Sequence, residues 1–132
     1  MSKLFKKLNL KDQNEILVLN SPQTFEAELD QLKEIHILRD LEKIELVNFV
    51  LVFVKTAEEI DQLTLAINEK APGDPLVWFA YPKKSSKKYK VEINRDQGWD
   101  ALDKVGFQPV RQVAIDEDWS ALRFRRKENV GH

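Results

Sequence analysis

Apolar residues in this chain occur in two patterns, short continuous runs and stripes at helical spacing. Residues 15–20 contain the run Ile16, Leu17, Val18 and Leu19, residues 49–54 read Phe-Val-Leu-Val-Phe-Val, and residues 76–81 read Leu-Val-Trp-Phe-Ala-Tyr. Runs of this kind, rich in β-branched and aromatic side chains, predict strands covered on both faces of a sheet. Between them the period changes. Ser21 and Pro22 predict a helix start, as N-cap and first helical residue, and Phe25, Leu29 and Leu32 then form one apolar stripe. Residues 34–38 read as a second short strand. Thr56 with Glu59 is a capping box, followed by the stripe Ile60, Leu63 and Ile67, and Pro72-Gly73 ends that helix. Asp96 predicts the cap of a short helix carrying Trp99, Leu102 and Val105, with Gly106 just past its end and Phe107 packing back. The last two strands are predicted at residues 110–115 and 119–126. In the second, Leu122 and Phe124 alternate with Arg123 and Arg125, the mark of an antiparallel edge hairpin with one covered and one wet face.

Strands alternating with helices predict a three-layer α/β domain with a mostly parallel sheet. Closure by an antiparallel hairpin gives it a Rossmann-like, methyltransferase-like outline. The link over residues 38–48 reaches at most about 40 Å when extended. That is enough to cross one strand and too little for another strand and helix, so the sheet is expected to have one strand fewer than a complete methyltransferase sheet. No linker or internal repeat divides the chain, and residues 1–132 read as one domain.

Several segments resemble a known family: Leu17-Val18-Leu19-Asn20-Ser21-Pro22, the turn Tyr81-Pro82-Lys83-Lys84-Ser85 after Leu76-Val77-Trp78-Phe79, Gly106-Phe107, and Val113 to Phe124 with its Asp-Glu-Asp-Trp-Ser-Ala-Leu core. Together they look like a bacterial family of domains of unknown function. The resemblance implies a shortened methyltransferase-like fold and a bacterial origin, and it supplies no catalytic residue.

Composition narrows the chemistry. Of 132 residues none is cysteine, which excludes disulfides, thiolate metal sites and cysteine nucleophiles. The basic start, Met-Ser-Lys-Leu-Phe-Lys-Lys, lacks a signal peptide's apolar run, and no stretch approaches a membrane span. A cytoplasmic protein without membrane association is expected. The formal net charge of −1 argues against nucleic acid as a partner, although residues 83–90 form a strongly basic segment in which Tyr89 could stack on a base. His36 and His132 are the only histidines, and His36, inside the second strand, reads as a partly buried structural residue. Asp116, Glu117 and Asp118 read as a solvated turn rather than a metal cluster.

On a methyltransferase-like fold, S-adenosylmethionine or a dinucleotide needs a glycine-rich turn after the first strand, where the backbone approaches the ligand. Here the turn is Asn20-Ser21-Pro22-Gln23-Thr24, no glycine precedes Gly73, and Arg39 precedes Asp40 where an acidic residue would hold ribose hydroxyls. No cofactor is therefore expected. If a ligand binds, it should sit at the carboxyl ends of the parallel strands. Those ends would gather Asn20, Ser21, Lys55, Thr56, Tyr81, Lys83, Lys84, Ser85 and Ser86, with two helix N-termini, into a site for a small anion such as phosphate or carboxylate. Trp119, beside a charged turn, is a core anchor or the anchor of a homodimer or protein interface through the terminal hairpin. The sequence thus points first to a non-catalytic, Rossmann-like binding or interaction module. Its rival is a small-molecule-binding protein or enzyme using the strand-end crevice, with an unconventional methyltransferase as the sharpest form.

Overall fold

A computed structural model describes residues 3–89, 93, 94 and 96–130. Lys90 of the basic segment and His132 lie outside the described residues. The elements are α1 (Lys3–Lys7), β1 (Glu15–Leu19), α2 (Glu26–Leu29), β2 (His36–Leu38), β3 (Phe49–Phe53), α3 (Ala57–Lys70), β4 (Leu76–Pro82), α4 (Asp100–Lys104), β5 (Phe107–Ala114) and β6 (Trp119–Arg126), with three short 3-10 turns.

The six strands form one sheet in the order β2-β1-β3-β4-β6-β5. The first four are parallel, and β6 and β5 close the sheet antiparallel. The expected α/β, methyltransferase-like architecture is therefore present. The link after β2 holds only a 3-10 turn, Leu41–Lys43, and no strand. Lys70, in the last turn of α3, donates through Nζ to the carbonyls of Leu41 and Ile44 at 2.6 and 2.9 Å. These bonds fasten the link to the last turn of α3.

Alternation along the strands divides the core into two layers. Leu17, Val50, Val52, Phe79 and Phe124 face α3 and α4, against Ile60, Ile67 and Leu102. Ile16, Val18, Leu51, Phe53 and Trp78 face the opposite side, against Phe5, Leu8, Phe25 and Leu29. This second side is covered partly by α1 and the turn behind it, which the strand-and-stripe pattern did not predict. Trp78 Nε1 donates to the Leu8 carbonyl at 3.0 Å, and the indole would otherwise be an orphaned donor in the core.

Several expectations are corrected. Pro22 is extended (φ −70°, ψ 156°) and precedes the helical turn instead of opening it. The stripe Phe25, Leu29, Leu32 is buried, but Phe25 closes a 3-10 turn, Leu29 ends the four residues of α2, and Leu32 lies beyond the helix. Ser21 caps no backbone group; its Oγ donates to Glu26 Oε2 at 3.0 Å. β2 is shorter than predicted because it is an edge strand pairing only with β1. For the same reason His36 is not partly buried: its side chain is 72% exposed, 3.8 Å from Glu15. Asp96 does not cap α4. Gly98 takes φ +103° between them, packed so closely on Ile93 that a Cβ would clash, and Trp99 occupies the cap position. Gly106 does end α4 with φ +90° and leads straight into β5, which starts three residues early and absorbs Pro109 with a bulge. Trp119 is only 2% exposed, a core residue of this chain and not a surface anchor. The exposed hairpin strand is β5, with Pro109 and the bulge on it, features that blunt an edge.

Candidate functional site

The chain leaves β1 through α2 on one side of the sheet and leaves β3 through α3 on the other. Phe25 and Leu29 pack in one layer, Ile60 and Ile67 in the other. β2 and β3 flank β1 on opposite sides, so the crevice between the carboxyl ends of β1 and β3 is the topological switch point, where open α/β sheets bind ligands. A cleft of about 440 Å³ lies there. Its rim is Asn20, Ser21, Pro22, Gln23, Lys55 and Glu59, with the half-buried Tyr89 beside them and the buried Phe53 and Trp119 beneath. The Trp119 ring meets Phe53 edge-on at 5.1 Å and Tyr89 at 4.9 Å, and Lys55 Nζ sits 4.8 Å over the Tyr89 ring. Trp119 Nε1 is buried and has no hydrogen-bond partner among the described residues. A buried N–H in that state costs about 1–3 kcal/mol.

The nine strand-end residues expected to form one site are divided. Asn20, Ser21 and Lys55 line the switch-point cleft. Tyr81, Lys83, Lys84 and Ser85 line a second hollow of about 330 Å³ with Asn94, Gln112 and Ser120. There Tyr81 Oη accepts from Gln112 Nε2 at 2.9 Å. Thr56 and Ser86 have structural duties. Ser86 Oγ donates to Asp118 Oδ1 at 2.8 Å and accepts from the amides of Lys88 and Tyr89. Asp116 Oδ1 in turn accepts from the amides of Asp118 and Trp119, so the acidic run builds the hairpin turn that anchors the basic loop. Among the described residues no group of His, Asp or Glu is arranged to hold a metal.

The two helix N-termini do not offer themselves to an anion. α2 has only four residues, too few to build the positive end that draws an anion. At α3 the capping box is complete: Thr56 Oγ1 accepts from Glu59 N at 3.2 Å, and Glu59 Oε1 accepts from the amides of Lys55 and Thr56 at 2.8 and 3.1 Å. The Glu59 carboxylate thus occupies the place where a ligand's anionic group would meet the positive end of the helix.

Two further features were hidden in the sequence. Asn20 takes φ +59°, so the turn after β1 adopts the left-handed conformation that glycine usually provides. Asparagine tolerates that region better than other side chains, and its identity was the available signal. Arg39, at the end of β2, pairs with Glu26 at 2.9 Å and reaches Ser21 Oγ at 3.3 Å. Its guanidinium holds the Glu26 carboxyl below its ordinary value, against the opposing effect of burial. This ion pair lies across the ends of β1 and β2, and the nearby Asp40 carboxylate is turned to the Glu42 amide.

No family model matches the sequence, nor does any curated protein. Solved structures do match the fold. An S-adenosylmethionine-dependent methyltransferase from Aquifex aeolicus aligns over 94% of this chain and 88% of its own, with TM-score 0.63 and 14% identity. The Methanococcus jannaschii fibrillarin pre-rRNA processing protein aligns over 89% and 68%, with TM-score 0.55 and 12% identity. A putative type 11 methyltransferase from Sulfolobus solfataricus aligns over 90% and 88%, with TM-score 0.53 and 10% identity. These likenesses give no support to a specifically non-catalytic role, and none to the bacterial family that the turn and tail motifs resemble. They establish that the chain has the fold of S-adenosylmethionine-dependent methyltransferases.

Proposed function

We propose that the protein binds a small ligand in the switch-point cleft, and that the ligand is a flat, partly apolar molecule bearing a carboxylate or other oxygen acceptor. The observation that carries this reading is the orphaned Trp119 N–H in a side chain lining the cleft. The N–H is closed off in the free protein, so binding shifts the Trp119 ring or its neighbours before an acceptor on the ligand satisfies it, and the half-buried Tyr89 ring receives the flat portion. Lys55 supplies an ammonium with no carboxylate within 4 Å among the described residues. Methyl transfer from S-adenosylmethionine is the second reading, favoured by the left-handed turn at Asn20. The Arg39–Glu26 pair at the end of β2 opposes it, because that is where an acidic side chain would receive ribose hydroxyls.

Thermal unfolding with S-adenosylhomocysteine, adenosine or 4-hydroxybenzoate separates the readings. A probe at about 100 times its dissociation constant stabilises the fold by about 2.7 kcal/mol, several degrees for a domain of this size. The proposal expects stabilisation by 4-hydroxybenzoate, weakened about tenfold or more in affinity by Lys55→Gln. Stabilisation by S-adenosylhomocysteine alone would replace it with the second reading. No shift with any of the three would overturn both and return the hairpin and basic loop to consideration as surfaces for a protein partner.

A further inference from the structure

On the side of the sheet facing α1, the closing hairpin changes character along its length. Near the switch-point cleft its inward residues are Trp119, Ala121 and Val113, all buried. Two residues further along each strand they become Arg123 on β6 and Arg111 on β5, which the register places directly opposite one another, with Trp78 of β4 on the other flank of Arg123. Residues opposed in this way have Cα atoms about 4.5–5.5 Å apart, and like charges at such a pair are destabilising.

Neither guanidinium is neutralised by a close carboxylate among the described residues. The adjacent Arg125 takes the Asp74 carboxylate in a two-pronged grip, at 3.0 Å from Nε and 2.7 Å from Nη2. Arg111 is left with the neutral Asn9 Oδ1 at 3.3 Å. Arg123 is half-buried, and its Nε is shut off from solvent with no hydrogen-bond partner among the described residues. Burial holds the Arg123 guanidinium below its ordinary value; Asp74 opposes this, while Arg125 and Arg111 add to it. The bulge between Pro109 and Arg111 resets the register so that the two arginines meet, and bulges commonly re-aim side chains at functional positions.

We propose that Arg111 and Arg123, with Asn9 beside them, form an anion site that takes the phosphate of a small phosphorylated molecule. Two forked guanidiniums carried by directly opposed residues match the paired oxygens and double charge of a phosphate, and a single carboxylate would leave one cation unmatched. A bound phosphate offsets the like-charge repulsion across the hairpin. The site lies on the hairpin away from the switch-point cleft and shares no residue with it, so it stands or falls independently of the ligand proposed there.

The test is thermal unfolding and calorimetric titration of the whole chain with inorganic phosphate, chloride being exchanged at constant ionic strength. Phosphate is expected to raise the melting temperature of the wild type by several degrees at about a hundredfold excess over its dissociation constant. Arg111→Gln is expected to lose that gain, with affinity down about tenfold or more. In chloride alone the same variant is expected to melt at or above the wild-type temperature, because it relieves a repulsion. That result also shows that the variant folds. Lys83→Gln/Lys84→Gln is expected to keep the phosphate response. A response equal in wild type and Arg111→Gln, or one lost in the lysine variant, would overturn the assignment. So would binding of a single-stranded RNA with a steep salt dependence where inorganic phosphate gives no response, which would indicate a polymer surface.

Discussion

Replacing Glu59 with alanine tests whether the start of α3 is closed by the protein itself. The carboxylate accepts from two backbone amides, Lys55 at 2.8 Å and Thr56 at 3.1 Å, and sits at the positive end of a 14-residue helix. Once it is removed, Lys55 and Thr56 can bond to water, so each bond is worth its net value of about 0.5–1 kcal/mol. Loss of the favourable charge at the helix terminus adds about 0.3–1 kcal/mol. The sum, about 1.3–3 kcal/mol, corresponds to a fall of roughly 5–11 °C in melting temperature, followed by circular dichroism. The amides that the carboxylate had satisfied then become available to an external anion. Phosphate, exchanged for chloride at constant ionic strength, is therefore expected to stabilise Glu59→Ala by more than it stabilises the wild type. Comparing the two gains cancels any contribution from the distant hairpin arginines. A variant that melts with the wild type, or that gains no more from phosphate, would refute the argument that Glu59 stands in the place of a ligand.

Two other outcomes follow from the packing and the ion pairs. Glu26 and Asp74 are both held below their ordinary carboxyl values, mainly by hydrogen bonds from Arg39 and Arg125. Their contribution is present above the unfolded values of 4.5 and 3.8 and is lost as the pH falls through the lower folded values. Both pairs are well exposed, so the loss is about 1 kcal/mol or less for each. Urea unfolding at neutral and acid pH should show it, with a shallower acid limb in Asp74→Asn. Trp78→Phe removes the indole bond to the Leu8 carbonyl and leaves a void in the core. A loss of about 2–3 kcal/mol is expected, with faster proteolysis in the segment around α1; unchanged stability would mean that this segment does not cover the sheet.

Where burial on both faces dictated the pattern, the sequence was easy to read. β3 and β4 are continuous apolar runs, β6 is found at the predicted residues, and the capping box at Thr56 and Glu59 is complete. Legibility failed where a local signal was overridden by tertiary bonds. Ser21 looked like an N-cap but is drawn to Glu26 and Arg39. Asp96 looked like another, but Gly98 turns the chain before α4 begins. α1 is too short to show a full stripe, and its place is set by Phe5, Leu8 and the Trp78 indole. The strand-end site was legible as a location but not as a geometry. Nothing in the sequence says that Tyr89 folds over Trp119 and under Lys55, or that the lysine turn faces a separate hollow. The first turn lacks glycine, yet Asn20 supplies the left-handed backbone conformation that glycine would have provided.

The central claim, that the switch-point cleft is a ligand site with an unsatisfied donor, is tested most directly by the indole N–H resonances of the three tryptophans. Trp78 and Trp99 donate to the carbonyls of Leu8 and Asn94 at 3.0 and 2.7 Å, whereas Trp119 donates to no described residue. In the free protein the Trp119 signal should lie upfield of the other two. On titration with 4-hydroxybenzoate, adenosine or S-adenosylhomocysteine it should move downfield with saturation while Trp78 and Trp99 stay in place. A Trp119 signal that resonates with the hydrogen-bonded pair from the start, and that none of the three probes moves, would contradict the account.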